Sequence, residues 1–231
     1  MVRDNVRKIK ERISSVCSKI NRNPQSITIV GVAKGRTVGQ IREAITAGIT
    51  DIGENRVQES FLKYKELTSD INGPLPIKWH LVGHLQTNKV KEAVKLFDLI
   101  HSVDTLRVAW EIDKQAAPIN KVQDILVQVN TSGEQSKFGL KPNETVEVIK
   151  EISQMKNIKV KGLMTIAPWV DDPVKLRPYF RTLRELRDKI NQLSVINCPL
   201  PVLSMGMTDD FEVAIEEGAT IVRLGRAIFE D

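Results

Sequence analysis

What most constrains this chain is a repeated strand-then-helix rhythm. Apolar, β-branched runs recur at residues 27–33, 49–53, 77–82, 97–103, 124–130, 160–166, 201–205 and 220–225. Between them lie segments with helical spacing of apolar residues and helix-type charge: 38–48, 57–69, 89–97, 104–116, 143–155, 174–193 and 209–218. Strands alternating with helices define an α/β chain. Eight such repeats in 231 residues fit a single (β/α)8 TIM barrel, whose usual length is about 250 residues. A charged, helix-patterned segment, MVRDNVRKIKERI, adds an N-terminal helix before the first strand. An open doubly wound sheet is the runner-up, but no glycine-rich dinucleotide fingerprint follows the first strand. Gly48 and Gly218 end two helices, Asn143 or Thr145 caps another, and Asn88-Lys89 opens a helix. The patch around Pro74 and Pro76 reads as a loop. With no low-complexity segment, residues 1–231 form one domain.

Composition narrows the class further. The chain is 41% hydrophobic and 27% charged, as ordinary globular domains are. It has no apolar run near the roughly 20 residues of a membrane span, and its first residues lack a signal-peptide core. Cys17 and Cys198 are its only cysteines, which suits a reducing, cytoplasmic home. The net charge is +5. Its basic residues crowd the first helix (Arg3, Arg7, Lys8, Lys10, Arg12, Lys19, Arg22), where they read as a solvated face. Without an aromatic platform or binding motif, nucleic acid is not an expected partner.

A barrel collects function at the C-terminal ends of its strands. Those ends carry Lys34, Gly53-Glu54-Asn55, His80 to Asn88, His101-Ser102, Asn130-Thr131-Ser132, Met164-Thr165, Ser204-Met205-Gly206 and Arg223-Leu224-Gly225. Lys34 is the unusual one. In ITIVGVAKGR, strict alternation places Thr28, Val30, Val32 and Lys34 on one face, and Gly31 and Ala33 on the other, where a helix packs close. That alternation points Lys34 into the barrel mouth. Burial there would disfavour its ammonium form and supply a free amine for Schiff-base chemistry with an aldehyde. The plainer reading is a lysine snorkelling from a strand end.

A second clue lies across the rim. LSMGMTDDFEVAIEEG places Ser204, Gly206 and Thr208 between strand seven and a helix, and VRLGRAIF places Gly225 after strand eight. Barrels bind phosphate with these two loops: glycine lets backbone N–H groups approach, hydroxyls add donors, and a helix end adds positive potential. Two glycine turns capped by Thr208 or Asp209 would explain the same residues without a ligand. A lysine at strand one and a phosphate cradle opposite suggest a phosphorylated aldehyde, and pyridoxal 5'-phosphate (PLP) fits best.

The segments VGVAKGR, DIGENRVQE, WHLVGHLQTNK, SVD, VQVNTSGEQSKFGL, VKGLMTI, LSMGMTDDFEVAIEEGAT and VRLGRAIF, in this order, resemble the YggS/PROSC family of pyridoxal phosphate homeostasis proteins across essentially the whole chain. The resemblance implies a single barrel related to that of alanine racemase. It implies PLP held as a covalent aldimine on Lys34, with Ser204, Gly206, Thr208 and Gly225 along the phosphate and Arg223 facing the pyridine nitrogen. Asn55, His80, His84 and Met164 would line the ring pocket or its rim. It also implies a role in buffering or delivering the cofactor, with apo PLP-dependent enzymes as partners, and no established turnover. The sequence departs from the family at Arg226, where a small hydroxyl residue is usual, and at Glu230-Asp231, where glycine and a basic residue commonly follow.

Three functions compete at this point: a PLP carrier, a PLP-dependent racemase or lyase, and a phosphosugar isomerase or aldolase. The motif set disfavours the last. Racemisation needs acid–base groups on both faces of the substrate carbon. Lys34 serves one. The racemase's second base is a tyrosine from an additional domain and partner subunit, and no such domain follows the eighth repeat here. Tyr64 and Tyr179 fall in helices away from the rim, which leaves His84 as the substitute for a weak racemase. Loss of the dimer domain favours a monomer.

Overall fold

A computed structural model describes residues 1–68, 77–193 and 199–230. The Pro74–Pro76 loop and Cys198 lie outside the described residues. The strands are β1 (Thr28–Val32), β2 (Asp51–Glu54), β3 (Lys78–Leu81), β4 (Leu99–Val103), β5 (Gln123–Gln128), β6 (Ile158–Met164), β7 (Val202–Ser204) and β8 (Ile221–Leu224). All neighbours pair in parallel, and β8 closes on β1 to make a barrel. The helices are α1 (Val2–Lys19), α2 (Val38–Thr46), α3 (Val57–Thr68), α4 (Val90–Leu96), α5 (Leu106–Ala116), α6 (Thr145–Ile152), α7 (Arg177–Gln192), α8 (Phe211–Glu216) and α9 (Arg226–Phe229). The expected (β/α)8 barrel with an extra N-terminal helix is therefore the observed one.

Two cores result from strand alternation. Outward residues such as Ile52, Leu81, Ile100, Ile125, Leu163 and Val222 pack under the helices in one large apolar cluster. Inside the barrel, Val30, Val82 and Ile221 form a small cluster with Val32, Leu99 and Val202. Register fixes which residues share that interior. Val30 is level with Asp51 and with Arg223, Gly53 with His80, and Met164 with Ser204. Adjacent residues in a register row point the same way, so several polar side chains face inward among the residues of this apolar cluster. The register slips between Ile100 and Val103 and again between Ile125 and Leu126.

Helix α1 buries Val2, Val6, Ile9, Ile13, Val16 and Cys17, the i, i+3, i+4 stripe of a helix with one apolar side. It leans on α2, α8 and α9. Its basic residues lie outside that stripe, as expected of a solvated face; Arg7 pairs with Glu11 and Arg12 with Glu212. Gly48 (φ +91°) and Gly218 (φ +100°) follow the ends of α2 and α8, the left-handed positions where glycine carries no Cβ penalty. The expected cap at Asn143 or Thr145 is not made. Glu144 precedes α6 without a side-chain cap, and the Thr145 hydroxyl donates backwards to the Lys141 carbonyl. A lysine-proline-asparagine turn winds in before the helix, which consumes that hydroxyl.

Candidate functional site

The GVAKGR stretch resolves into strand, turn and helix cap. β1 ends at Val32. The Arg36 N–H donates to the Ala33 carbonyl at 3.0 Å, closing a tight turn with Lys34 and Gly35 in the middle. Gly35 has φ +69°, which the third residue of such a turn requires and glycine supplies. Thr37 and Gln40 then form a reciprocal capping box that starts α2. A lysine between glycines is thus a lysine at the crest of a turn. It is exposed, not buried in the barrel mouth. Strand alternation stops two residues before it, so the low-dielectric surroundings expected of Lys34 are not those it has.

Lys34 lines an open cavity of about 510 Å³ with Asn55, Arg56, Gly83, His84, Gln86 and Lys89 among its walls. Three features fix this wall. Lys63 on α3 donates to the Ala33 carbonyl at 2.6 Å and to Glu54 Oε1 at 2.7 Å. One ammonium therefore ties down the residue before Lys34 and the residue before Asn55. Burial pushes the Glu54 carboxyl above its ordinary range, and Lys63 pulls it part of the way back. Gly83 presses on Asn55 so closely that a Cβ there would lie 2.3 Å from the Asn55 carbonyl oxygen. The Asn55 side-chain oxygen is buried and has no hydrogen-bond partner. His84 stacks on Phe138 with ring centroids 3.8 Å apart, and its Nδ1 lies 3.2 Å from Asp104 Oδ2. Burial raises the Asp104 carboxyl, which the His84 charge opposes.

The other half of the rim is built differently. Met164 and Ser204 are fully buried, side by side at the ends of β6 and β7. Ser204 spends its hydroxyl inside the barrel, 2.9 Å from His101 Nδ1. Arg223 Nη1 donates to Ser204 Oγ at 2.7 Å, and Nη2 donates to the Thr165 carbonyl at 2.8 Å. Burial lowers the Arg223 pKa to about 10, with Asp210 opposing the shift, so the guanidinium remains a cation near neutral pH. Asp209 pairs with Arg226 instead, and that places Arg226 at the surface. Gly206 has φ +93°, and a Cβ there would meet Ala214 Cβ at 2.6 Å. The Thr208 hydroxyl accepts from the Ala227 N–H of α9 at 3.3 Å. Gly225 precedes α9, and a Cβ there would sit 3.6 Å from the Val32 carbonyl oxygen. The β8 loop and the β1 turn are therefore neighbours.

Of the sequence-derived residues, Lys34, Asn55 and His84 share one cavity; Ser204 and Arg223 share a hydrogen bond; Thr208 and Gly225 meet at α9. His80 lies deeper than a ring-pocket wall. It is buried within the barrel, its Nε2 3.0 Å from Asp51 Oδ1 and its Nδ1 2.9 Å from His101 Nε2. Asp51, Lys63, Thr165 and the interior role of His101 were missed. His101 and Thr165 had a signal, each as a polar strand end. No group of three or more His, Cys, Asp or Glu side chains among the described residues is arranged to hold a metal.

These residues fit a phosphorylated pyridoxal. An exposed amine opens on a cavity large enough for the ring, a buried acceptor at Asn55 lacks a partner, and a buried cation lies inward of Gly225. Gly225 has room for a methyl group, so packing does not demand glycine there.

Comparison with known proteins agrees with the fold. The family "Alanine racemase, N-terminal domain" matches residues 3–231. A pyridoxal phosphate homeostasis protein of Aquifex aeolicus is 45% identical over 222 residues, covering 96% of this chain and 94% of its own. One from Pseudomonas aeruginosa is 36% identical, covering 99% and 94%. The structure of PipY from Synechococcus elongatus with PLP bound superimposes with a TM-score of 0.82 at 35% identity, covering 96% of this chain and 99% of that one. This chain belongs to the YggS/PROSC family of pyridoxal phosphate homeostasis proteins, built on the alanine racemase N-terminal-domain barrel.

Proposed function

We propose that this protein binds pyridoxal 5'-phosphate through Lys34 and serves to buffer or deliver it, as one (β/α)8 domain over residues 1–231 that is monomeric and cytoplasmic. The observation that carries the reading is the exposed Lys34 amine on an open cavity, in a turn whose preceding strand end, Val32, adjoins Gly225. When bound, PLP supplies an aldehyde that condenses with amines and a ring that withdraws electron density. Lys34 provides the amine. Asn55 and His84 wall the ring, and Arg223 faces its nitrogen. The backbone at Gly206, Thr208 and Gly225 receives the phosphate. Arg223 only donates hydrogen bonds, so it gives a pyridine nitrogen no proton acceptor and favours the unprotonated ring. The open rim suits exchange with apo PLP-dependent enzymes.

The test is direct. Purified protein mixed with PLP should gain a visible absorption band that borohydride abolishes as it fixes the adduct covalently at Lys34, and holo-protein should reactivate an apo-enzyme even when free cofactor is trapped in solution. Borohydride trapping at another lysine would defeat the assignment. A weak racemase is the second reading, because His84 shares the Lys34 cavity and Asp104 lies within 3.2 Å of it. α-Proton exchange of amino acids in deuterated water at ordinary enzyme rates would favour it.

A further inference from the structure

Five strands contribute to one hydrogen-bonded line through the barrel interior: Asp51 from β2, His80 from β3, His101 from β4, Ser204 from β7 and Arg223 from β8. The steps are Asp51 Oδ1 to His80 Nε2 (3.0 Å), His80 Nδ1 to His101 Nε2 (2.9 Å), His101 Nδ1 to Ser204 Oγ (2.9 Å) and Ser204 Oγ to Arg223 Nη1 (2.7 Å). All five residues are buried, and His101 and Ser204 completely. At the Asp51 end, Thr50 gives a second hydrogen bond at 2.6 Å.

The chemistry of the two ends sets the direction of every hydrogen. A guanidinium only donates, and an ionised carboxylate only accepts. Burial raises the Asp51 carboxyl, but hydrogen bonds from His80 and Thr50, helped by the charge of Lys78, outweigh it and hold the group below the usual range. Asp51 is therefore ionised near neutral pH, and His80 Nε2 carries the hydrogen it accepts. His101 is neutral, since burial above all, with the nearby Arg223 cation, pushes its pKa far down. A neutral ring has one N–H. If it were on Nδ1, His80 would have to donate from both nitrogens. That would place an imidazolium in the same line as the Arg223 cation, with Lys78 also near Asp51 and with Asp51 and Asp210 as the carboxylates opposing them. The other arrangement needs no extra charge: Arg223 donates to Ser204, Ser204 to His101 Nδ1, His101 Nε2 to His80, and His80 to Asp51.

We propose that His101 is a positioning residue for the cofactor site: by taking the Ser204 hydrogen it turns the serine lone pairs to Arg223 and locks the guanidinium, leaving the remaining N–H groups for the ring. The part concerning the ring rests on the PLP reading above; the hydrogen order does not. Neither histidine then acts on substrate. His80 and Asp51 brace His101 from below, and the line ends at the barrel floor, away from the mouth.

The test begins without cofactor. In protein labelled with 15N-histidine, three side chains are to be assigned, and long-range proton–nitrogen correlations report which nitrogen is protonated. His101 should carry its hydrogen on Nε2, with an unprotonated Nδ1, throughout about pH 5 to 8. A hydrogen on Nδ1 overturns the proposal. In Ser204→Ala the His101 Nδ1 resonance should move toward that of an acceptor with no donor; an unmoved resonance also overturns it. The cofactor arm uses two substitutions. The Asn carbonyl in His101→Asn reaches the Nδ1 level and still accepts from Ser204, whereas Gln in His101→Gln reaches the Nε2 level and keeps only His80. PLP should bind about tenfold more weakly to His101→Gln and within about threefold of wild type to His101→Asn. Equal losses in the two overturn the positioning role. A wild-type protein that takes up no PLP defeats the proposed function instead, and the tautomer measurement still decides the hydrogen order.

Discussion

The two halves of the barrel mouth are unlike. Over β1 to β3, Lys34 and His84 are exposed on a turn and a loop, and the cavity they share is open to solvent. Over β6 to β8, Met164, Thr165, Ser204 and Arg223 are buried and tied into the barrel interior. An amine that must meet an aldehyde, and later release it, gains from exposure and freedom. Groups that hold a ring at a fixed angle gain from rigidity, because preorganised dipoles need no rearrangement when a ligand arrives. One face of the site therefore suits exchange and the other suits orientation. The carrier reading needs both.

The largest effects should separate the halves outright. Lys34→Ala should abolish the borohydride-fixed adduct while shifting unfolding stability by no more than about 0.5 kcal/mol, as at other exposed positions. Arg223→Met should do the reverse in kind. It strips the donors from Ser204 and the Thr165 carbonyl inside the barrel, at a cost of about 2–4 kcal/mol. Urea unfolding of the two variants side by side checks this. Equal stability losses would erase the contrast.

Gly206→Ala comes next, at about 1–3 kcal/mol. Its φ of +93° opposes any Cβ, and the added methyl would lie 2.6 Å from Ala214 Cβ and 3.0 Å from Phe211 Cα. An unchanged unfolding midpoint would show that the loop and α8 part easily, and the rigid half would lose part of its support.

These contrasts were only partly legible in the sequence. The strand–helix rhythm gave the barrel because burial of alternating apolar faces decides it, and each strand fell within two residues of its expected bounds. Lys34 was found for its position but misjudged in its setting. Alternation was carried past Val32 into a turn that Gly35 creates. His80 was assigned to the rim, yet β3 pairs so that His80 stands level with Gly53 and Leu99, inside the barrel. The line from Asp51 to Arg223 joins residues from five strands whose relation depends on register, including the slips at β4–β5 and β5–β6. Spacing along the chain does not record register between strands. The Lys63 brace was hidden for a similar reason: a lysine on an amphipathic helix looks solvated until the buried Glu54 beneath it is seen.

Two buried carboxylates sharpen the comparison through pH. Asp51 is held below its unfolded pKa, so its contribution is present above about pH 4 and is lost as pH falls through its folded pKa. Glu54 is raised by burial, so the folded state keeps its proton longer than the unfolded state. Stability attributable to Glu54 therefore declines as pH rises through the ordinary glutamate range near about 4.3 and levels off beyond its folded pKa. Acid titration of unfolding free energy should show Asp51→Asn losing the first slope and Glu54→Gln the second. Slopes of the same sign would contradict the assignment of one carboxylate to hydrogen bonding and the other to desolvation.

The smallest effect on stability is expected at Gly225, and it discriminates most finely. Its φ of −105° lies outside the left-handed region, and a Cβ would make ordinary contacts at 3.6 Å with the Val32 oxygen and 3.7 Å with Val32 Cβ. Alanine is therefore accommodated, and Gly225→Ala should change stability by less than about 0.5 kcal/mol. Gly206 answers to tight packing and a positive φ; Gly225 answers to neither. The remaining demand on it is close approach of its backbone by a phosphate, which a methyl group would hinder. PLP affinity in Gly225→Ala should fall about tenfold, the worth of a weakened charge-assisted hydrogen bond, while pyridoxal lacking the phosphate binds as before. Unchanged PLP affinity would move the phosphate away from the β8 loop. A large loss of stability would make Gly225 a structural glycine like Gly206, and the cradle would lose the residue that packing leaves unexplained.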